Sequence, residues 1–178
     1  MEDQTIKREV LHQGKIFSLL RDEIKLPNGK TAIREYISRE GAAAIVAADD
    51  QGKIFFVRQY RHPVKQSALE LPAGTLEKGE DPKECAMREL EEEIGWKAQD
   101  LELLTSMYTS IGVSSEVLDL YLAKGLTKGT QNLDPDEFIE IEKYTLDEAL
   151  EMIKKGEIKD AKTIVGVYMY KERLSIGL

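Results

Sequence analysis

Arg88-Glu89-Leu90-Glu91-Glu92-Glu93 is the densest concentration of potential chemistry in the chain. At about 100° per residue, Ala86, Leu90 and Ile94 form an apolar stripe with Met87 beside it, and Glu89, Glu92 and Glu93 fill the adjoining sector. Like charges at this spacing cost a helix roughly 0.2–0.5 kcal/mol per pair. Arg88 can relieve Glu92 one turn on, but it cannot neutralise three carboxylates. A charge run is ordinarily a solvated face. Here the carboxylates border the buried stripe instead of opposing it. The glycine-containing loop Gly74-Thr75-Leu76-Glu77-Lys78-Gly79-Glu80 also brings Glu77, Glu80 and main-chain carbonyls toward the same helix. Oxygen ligands of this kind suit a hard octahedral cation, Mg2+ or its substitute Mn2+, and more than one ion could draw on the cluster.

The surrounding pattern predicts the elements that would hold this cluster. Asp81-Pro82-Lys83-Glu84 combines an N-cap side chain, Pro at the first helical position and Glu at N3, and Gly95 suits a left-handed C-terminal residue. A helix between them is expected. Ahead of it, Leu26-Pro27-Asn28-Gly29-Lys30 reads as a hairpin turn among short strands. Ala42 to Ala48 reads as a strand buried on both faces, and Lys53 to Tyr60 as its hairpin partner across Asp49-Asp50-Gln51-Gly52. After the helix, strands are expected at Glu102–Thr109, Glu116–Leu122 and Glu137–Tyr144. A second capping box, Thr145-Leu146-Asp147-Glu148, opens a helix that stops near Gly156. A third helix follows Asp160, with Ile164, Val167 and Tyr168 facing inward. Strands, helix, strands and two helices give an α/β layered fold, a mixed sheet sandwiched between helices. The strands of residues 1–40 form a small antiparallel subdomain ahead of the main domain, 41–178.

Composition narrows the partners. In 178 residues, 25 Lys and Arg against 33 Asp and Glu leave a net charge of −8. That argues against nucleic acid and anionic membrane surfaces, which need a dominant basic field, but leaves room for a small anionic ligand in a local basic pocket. The longest apolar run is far too short to span a bilayer, and Met1-Glu2-Asp3-Gln4-Thr5 has no leader-peptide pattern. A cytoplasmic protein is expected. Cys85 is the single cysteine, so neither an internal disulfide nor a cysteine-rich zinc site is possible. It reads as a small, partly buried residue. His12 and His62 read as structural, and a core role is expected for Ile16 and Phe17, the alternative being an apolar or stacking surface for a ligand's ring.

From Gly74 to Trp96, the succession Gly74, Glu80, Arg88-Glu89-Leu90, Glu92-Glu93, Gly95, Trp96 runs without insertion and resembles the Nudix box. The resemblance implies a pyrophosphohydrolase that cleaves a nucleoside diphosphate linked to another moiety. By position, Glu89 and Glu93 would ligate Mg2+, with Glu92 a further or supporting carboxylate and the Ala73 carbonyl completing the shell. Arg88 would pin Glu92, and Glu80 would support the cluster from the loop. A pyrophosphate bridge repels hydroxide, and divalent ions offset that charge while lowering the pKa of bound water.

The flanks Val57-Arg58-Gln59-Tyr60-Arg61 and Leu69-Glu70-Leu71-Pro72-Ala73-Gly74 resemble the ADP-ribose pyrophosphatase branch, as does the helix start Asp160-Ala161-Lys162-Thr163. That likeness implies that Arg61 holds a phosphate or the terminal ribose and that Glu70 hydrogen-bonds the ligand. A guanidinium can grip two phosphate oxygens at once. The alternative for Arg58 and Arg61 is pairing with nearby acids. The branch carries a Ser-Pro-Gly turn after the box. Here Ile111 stands where Pro is expected, with Gly112 and Glu116 in register as substrate-side residues. The exchange frees φ and restores an N–H, which keeps a nucleoside diphosphate sugar such as GDP-mannose open beside ADP-ribose. Glu137 matches the family's loop glutamate, a base or extra metal ligand, with Asp134 and Asp136 as second choices. The branch exchanges its N-terminal sheet in a homodimer, and Arg34 matches the arginine that completes the partner's site. A nucleotide-binding module without activity would have lost box carboxylates, and every one is present.

Overall fold

The computed structural model describes residues 2–176. The chain opens with β1 (Gln4–Gln13), β2 (Ser18–Lys25) and β3 (Thr31–Ser38), then continues through β4 (Ala42–Val46), β5 (Ile54–Arg61), β6 (Gln66–Glu70) and β7 (Ala73–Thr75). Helix α1 (Pro82–Ile94) follows, then β8 (Trp96–Lys97), β9 (Asp100–Tyr108), β10 (Val117–Lys124), β11 (Thr127–Lys128) and β12 (Ile139–Tyr144). Helices α2 (Leu146–Lys155) and α3 (Ala161–Ser175) close it.

β4 is the centre because it has nothing polar to show either face: all five of its residues are buried. Ala43 and Ile45 pack with Cys85, Ala86, Leu90 and Ile94 of α1. Ala42, Ala44 and Val46 pack with Ala149 of α2 and Val167 and Tyr170 of α3. Period-two alternation thus drives two helical layers onto opposite faces of one strand. The sheet runs β7-β4-β10-β9, parallel between β4 and β10 and antiparallel elsewhere. A second antiparallel sheet runs β12-β5-β6, and β1-β2-β3 form a third.

The predicted hairpin of β4 and β5 forms only at its closed end. Asp49 N–H bonds Lys53 O at 2.9 Å and Ala48 bridges Ile54, after which the two strands part into separate sheets. All of β4 and residues Ile54 to Val57 of β5 are buried on both sides, and each strand needs its own layer. At α1, Asp81 accepts the Lys83 N–H at 2.9 Å instead of the N3 amide, while Thr145 and Glu148 make the full reciprocal box at α2. Gly95 takes φ of 71°.

Three expectations are corrected. Tyr168 is 43% exposed, and Tyr170, one half-turn on, takes the inward position. Ile16 and Phe17 are 65% and 41% exposed, because the turn between β1 and β2 carries them away from both cores. The last strand starts at Ile139, leaving Glu137 in the loop before it. Among the described residues no helix is long and apolar enough to cross a membrane.

Candidate active site

Two segments meet to build the acidic cluster. The α1 stripe of Ala86, Leu90 and Ile94 locks the helix against β4, so Glu89 and Glu93 face the turn that joins β6 to β7. Glu93 is 3% exposed, and its Oε2 accepts the Ala73 N–H at 2.9 Å. Glu89 lies so close to Gly74 that a Cβ there would sit 1.8 Å from its Oε1. Glycine at 74 leaves room for the Glu89 carboxylate in this position, and no special φ is involved.

Arg88 organises the exposed side of the cluster. Its Nε and Nη2 bond the two oxygens of Glu80 at 2.9 and 3.0 Å, and its Nη1 meets Glu89 at 2.5 Å and Glu92 at 3.0 Å. Glu80 is held below the usual carboxylate range by that guanidinium. Burial outweighs it at Glu89, whose carboxyl is pushed up, with Glu92 and Glu137 adding repulsion. Burial pushes Glu93 up to about 8, its Ala73 hydrogen bond notwithstanding, and the charges of Glu89 and Glu137 act in the same direction. Glu137 therefore lies within electrostatic reach of both helix carboxylates. Cys85 is fully buried, its thiol raised to about 12 by burial, and it is no nucleophile.

A cleft of about 500 Å3 opens beside the cluster, lined by Arg61, Glu70, Ala73, Gly74 and Glu116 among others. Arg61 grips Glu70 through two bonds, Nε to Oε1 at 2.7 Å and Nη2 to Oε2 at 3.0 Å. Glu70 also takes Lys162 Nζ, which bonds Asp160 at 3.0 Å. Burial alone would raise the Glu70 carboxyl, but Arg61 and Lys162 reverse that and hold it below its ordinary range. Glu116 meets Arg39 Nε at 3.2 Å and accepts from Thr109 Oγ1 at 2.7 Å. A second hollow of about 600 Å3 adjoins, sharing Arg39, Arg61 and Glu70 and adding Ile16, Pro63 and Val64.

The remaining expected residues fall outside that cleft. Glu137 lines a hollow with Arg58 and Tyr60, and Glu92 lines one with Arg88, Thr130 and Asn132. Arg58 pairs with Glu142 across β5 and β12. Arg34 is exposed on β3. Gly112 sits in the exposed loop between β9 and β10, which is tied to β3 by Ile37 N–H to Val113 O at 2.8 Å and Ser115 N–H to Ile37 O at 3.0 Å.

These positions coincide with a known family. Residues 38–165 match the NUDIX domain, and residues 4–37 match the nucleoside diphosphate sugar hydrolase N-terminal domain. The chain belongs to the Nudix family. Among Nudix relatives, it is 46% identical over 168 residues to the methanol dehydrogenase activator of Bacillus methanolicus, spanning 93% of this chain and 91% of that protein. It is 41% identical over 169 residues to the ADP-ribose pyrophosphatase of Bacillus subtilis strain 168, spanning 94% and 91%. The crystal structure of an ADP compounds hydrolase superposes with a TM-score of 0.87 over 98% of this chain and 95% of that one, at 21% identity, and so shares the Nudix fold.

Sequence reasoning missed three side chains of the Nudix cleft: Arg39, Lys162 and Thr109. Lys162 and Asp160 were legible only as a helix start, since nothing local says that this turn lands on Glu70. Among the described residues no group of three His, Cys, Asp or Glu is poised as a ready-made metal site. The donor chemistry nevertheless fits a divalent cation. Hard carboxylate oxygens of half-buried Glu89 and buried Glu93 lie close enough to repel each other, and positive charge is what that arrangement lacks.

Proposed function

We propose that this Nudix chain hydrolyses the pyrophosphate bond of ADP-ribose, giving AMP and ribose 5-phosphate. The observation that carries this reading is that buried Glu93 and half-buried Glu89 sit against Ala73 and Gly74, which line a cleft walled by Arg39, Arg61 and Lys162. The choice of ADP-ribose draws support from the Bacillus subtilis relative, 41% identical over 94% of the chain.

In this reading Glu89, Glu93 and the Ala73 carbonyl hold Mg2+, for which Mn2+ can substitute, and Glu137 joins them when its loop closes. The ion's contribution, once bound, is to offset pyrophosphate charge and acidify water. The chain's own residues do the rest. Arg61, held in place by Glu70, binds a phosphate through its planar fork. Glu116 and the Gly112 loop border the far end of the ligand. Glu137 takes the proton of the attacking water as its oxygen joins phosphorus, and the bridging oxygen leaves with the other phosphate. Glu92 steadies Arg88 and through it Glu89.

Residues 1–40 act as an N-terminal β subdomain, and 41–178 as the hydrolase domain. β1 and β3 leave Ile6, Val10 and Ile33 exposed, apolar area suited to a homodimer in which the partner's Arg34 reaches the substrate. Ile16 lines the second hollow, and in this reading it offers an apolar surface to the adenine. The enzyme works in the cytoplasm on a small nucleoside diphosphate sugar, not on nucleic acid or a membrane.

The test is turnover of ADP-ribose with Mg2+, alkaline phosphatase releasing phosphate from the products, beside GDP-mannose, NADH and ATP. A clear lead for ADP-ribose supports the reading. Cleavage of GDP-mannose alone would overturn the substrate and direct attention to the loop of Ile111.

A further inference from the structure

The turn from β6 to β7 is short, and three of its main-chain groups have three different anchors. Ala73 N–H goes to Glu93 at 2.9 Å, and Pro72 O accepts from Ile45 N–H at 2.9 Å. Leu71 stands just past the end of β6, whose last ladder pair is Val57 with Glu70, so its N–H has no strand partner. Thr163 supplies one. Its Oγ1, from α3 and 92 residues away in sequence, accepts the Leu71 N–H at 2.8 Å.

Thr163 can do this because its own hydroxyl hydrogen is committed. It donates to Asp160 Oδ2 at 2.6 Å, which also caps α3 by accepting the Thr163 N–H at 3.0 Å. The hydroxyl's lone pair is thereby aimed at Leu71 and not free to rotate away. Thr163 and Leu71 are both fully shielded from water, so no solvent replaces the bond if it is lost. One turn along α3, Gly166 admits Leu71 at a distance where a Cβ would lie 2.3 Å from Leu71 Cδ1. Helix and turn are in direct contact through the Leu71 side chain, with no side chain from position 166 of the helix between them.

We infer that Thr163 is a positioning residue for the metal site: its hydroxyl fixes the main chain at Leu71 and so sets the Ala73 peptide against Glu93. The inference rests on the proposed metal role of Ala73, Glu89 and Glu93. It adds α3, an element outside the Nudix box, to the parts that determine metal affinity.

Thr163→Val keeps the volume and removes both hydroxyl bonds, whereas Thr163→Ser keeps them. Mn2+ binding, followed by the electron paramagnetic resonance of the free ion, reads the site without any substrate. Valine is expected to weaken Mn2+ binding about tenfold or more, as loss of a supporting hydrogen bond does at other metal sites, and serine to stay within about twofold of the parent. In turnover the loss falls on kcat, with KM for substrate little changed. A folded valine variant with parental Mn2+ affinity overturns the inference. Should valine not fold, Thr163→Cys, a poor acceptor of similar size, is held to the same standard. A parent chain that binds no Mn2+ overturns the inference together with the metal reading. Failure to cleave ADP-ribose while valine still weakens Mn2+ binding and serine does not supports the inference and removes only the substrate.

Discussion

Arg61 and Glu70 are locked in a two-pronged ion pair, Nε to Oε1 at 2.7 Å and Nη2 to Oε2 at 3.0 Å, with Glu70 buried beneath and Arg61 reaching into the cleft. Lys162 takes Glu70 from the other side. One buried carboxylate therefore holds two cations at the wall where a diphosphate would lie. Both Glu70 oxygens are engaged, so in the proposed reading Glu70 serves the ligand through the cations it orients.

That relationship predicts how Glu70→Gln behaves. The amide presents one acceptor and one NH2 where two acceptors are needed, so Arg61 loses its fixed orientation and a cation is left poorly paired. KM for the diphosphate substrate should rise by about tenfold, the worth of a charge-assisted bond, with a smaller change in kcat. Steady-state kinetics of Glu70→Gln beside Arg61→Ala checks it. An unchanged KM in both would remove Arg61 from substrate binding.

Gly74→Ala should act through Glu89. The added Cβ would meet the Glu89 carboxylate at 1.8 Å, so the side chain must move away from Ala73 and its neighbours. Metal required for half-maximal activity should climb by about tenfold or more, while α1 itself stays folded because its buried stripe is untouched. Circular dichroism and a metal titration separate those two effects.

The elevated Glu93 carboxyl sets a pH dependence. Its value of about 8 in the fold exceeds the ordinary 4.5, so the metal-free folded state holds a proton that the unfolded chain releases. Stability from this group is complete below about pH 4.5 and is lost as pH rises through about 8. A metal ion competes with that proton and must bind more weakly in acid, by roughly tenfold or more between about pH 8 and about pH 6. Thermal melts with and without Mg2+ at both values test this. The Mg2+ stabilisation should be larger at the higher pH, and the reverse order would contradict the assignment.

Ile33→Glu places a charge in the exposed apolar surface of β3. If that surface pairs two subunits, the variant should run as a monomer by light scattering and lose activity with the partner's Arg34. A parent protein that is monomeric and fully active would end the dimer proposal.

Local patterns made much of the fold legible. The caps and stripe of α1, the two-sided burial of β4 and the turns at Gly29, Gly52 and Gly156 follow from near neighbours, and the structure keeps them within a residue or two. The wheel located the acidic cluster at the border of the core, and the resemblance gave its carboxylates their expected roles. What could not be read is carried by distant pairings. Thr163 on Leu71, Lys162 on Glu70 and Arg39 on Glu116 each join segments more than seventy residues apart, and no periodicity records them. Tyr168 and Tyr170 differ in fate because α3 is turned to lay Gly166 against Leu71, a tertiary choice that an apolar count alone misassigns.

The most direct test of the central claim is product analysis of ADP-ribose incubated with Mg2+ and either the parent chain or Glu93→Gln. The parent should yield AMP and ribose 5-phosphate in equal amounts. The variant, which keeps the side chain's shape but loses the charge proposed to bind metal, should be slower by roughly 10^3, the several kcal/mol such a charge contributes. Near-parental turnover by Glu93→Gln, or an intact ADP-ribose pool with the parent, would contradict the account.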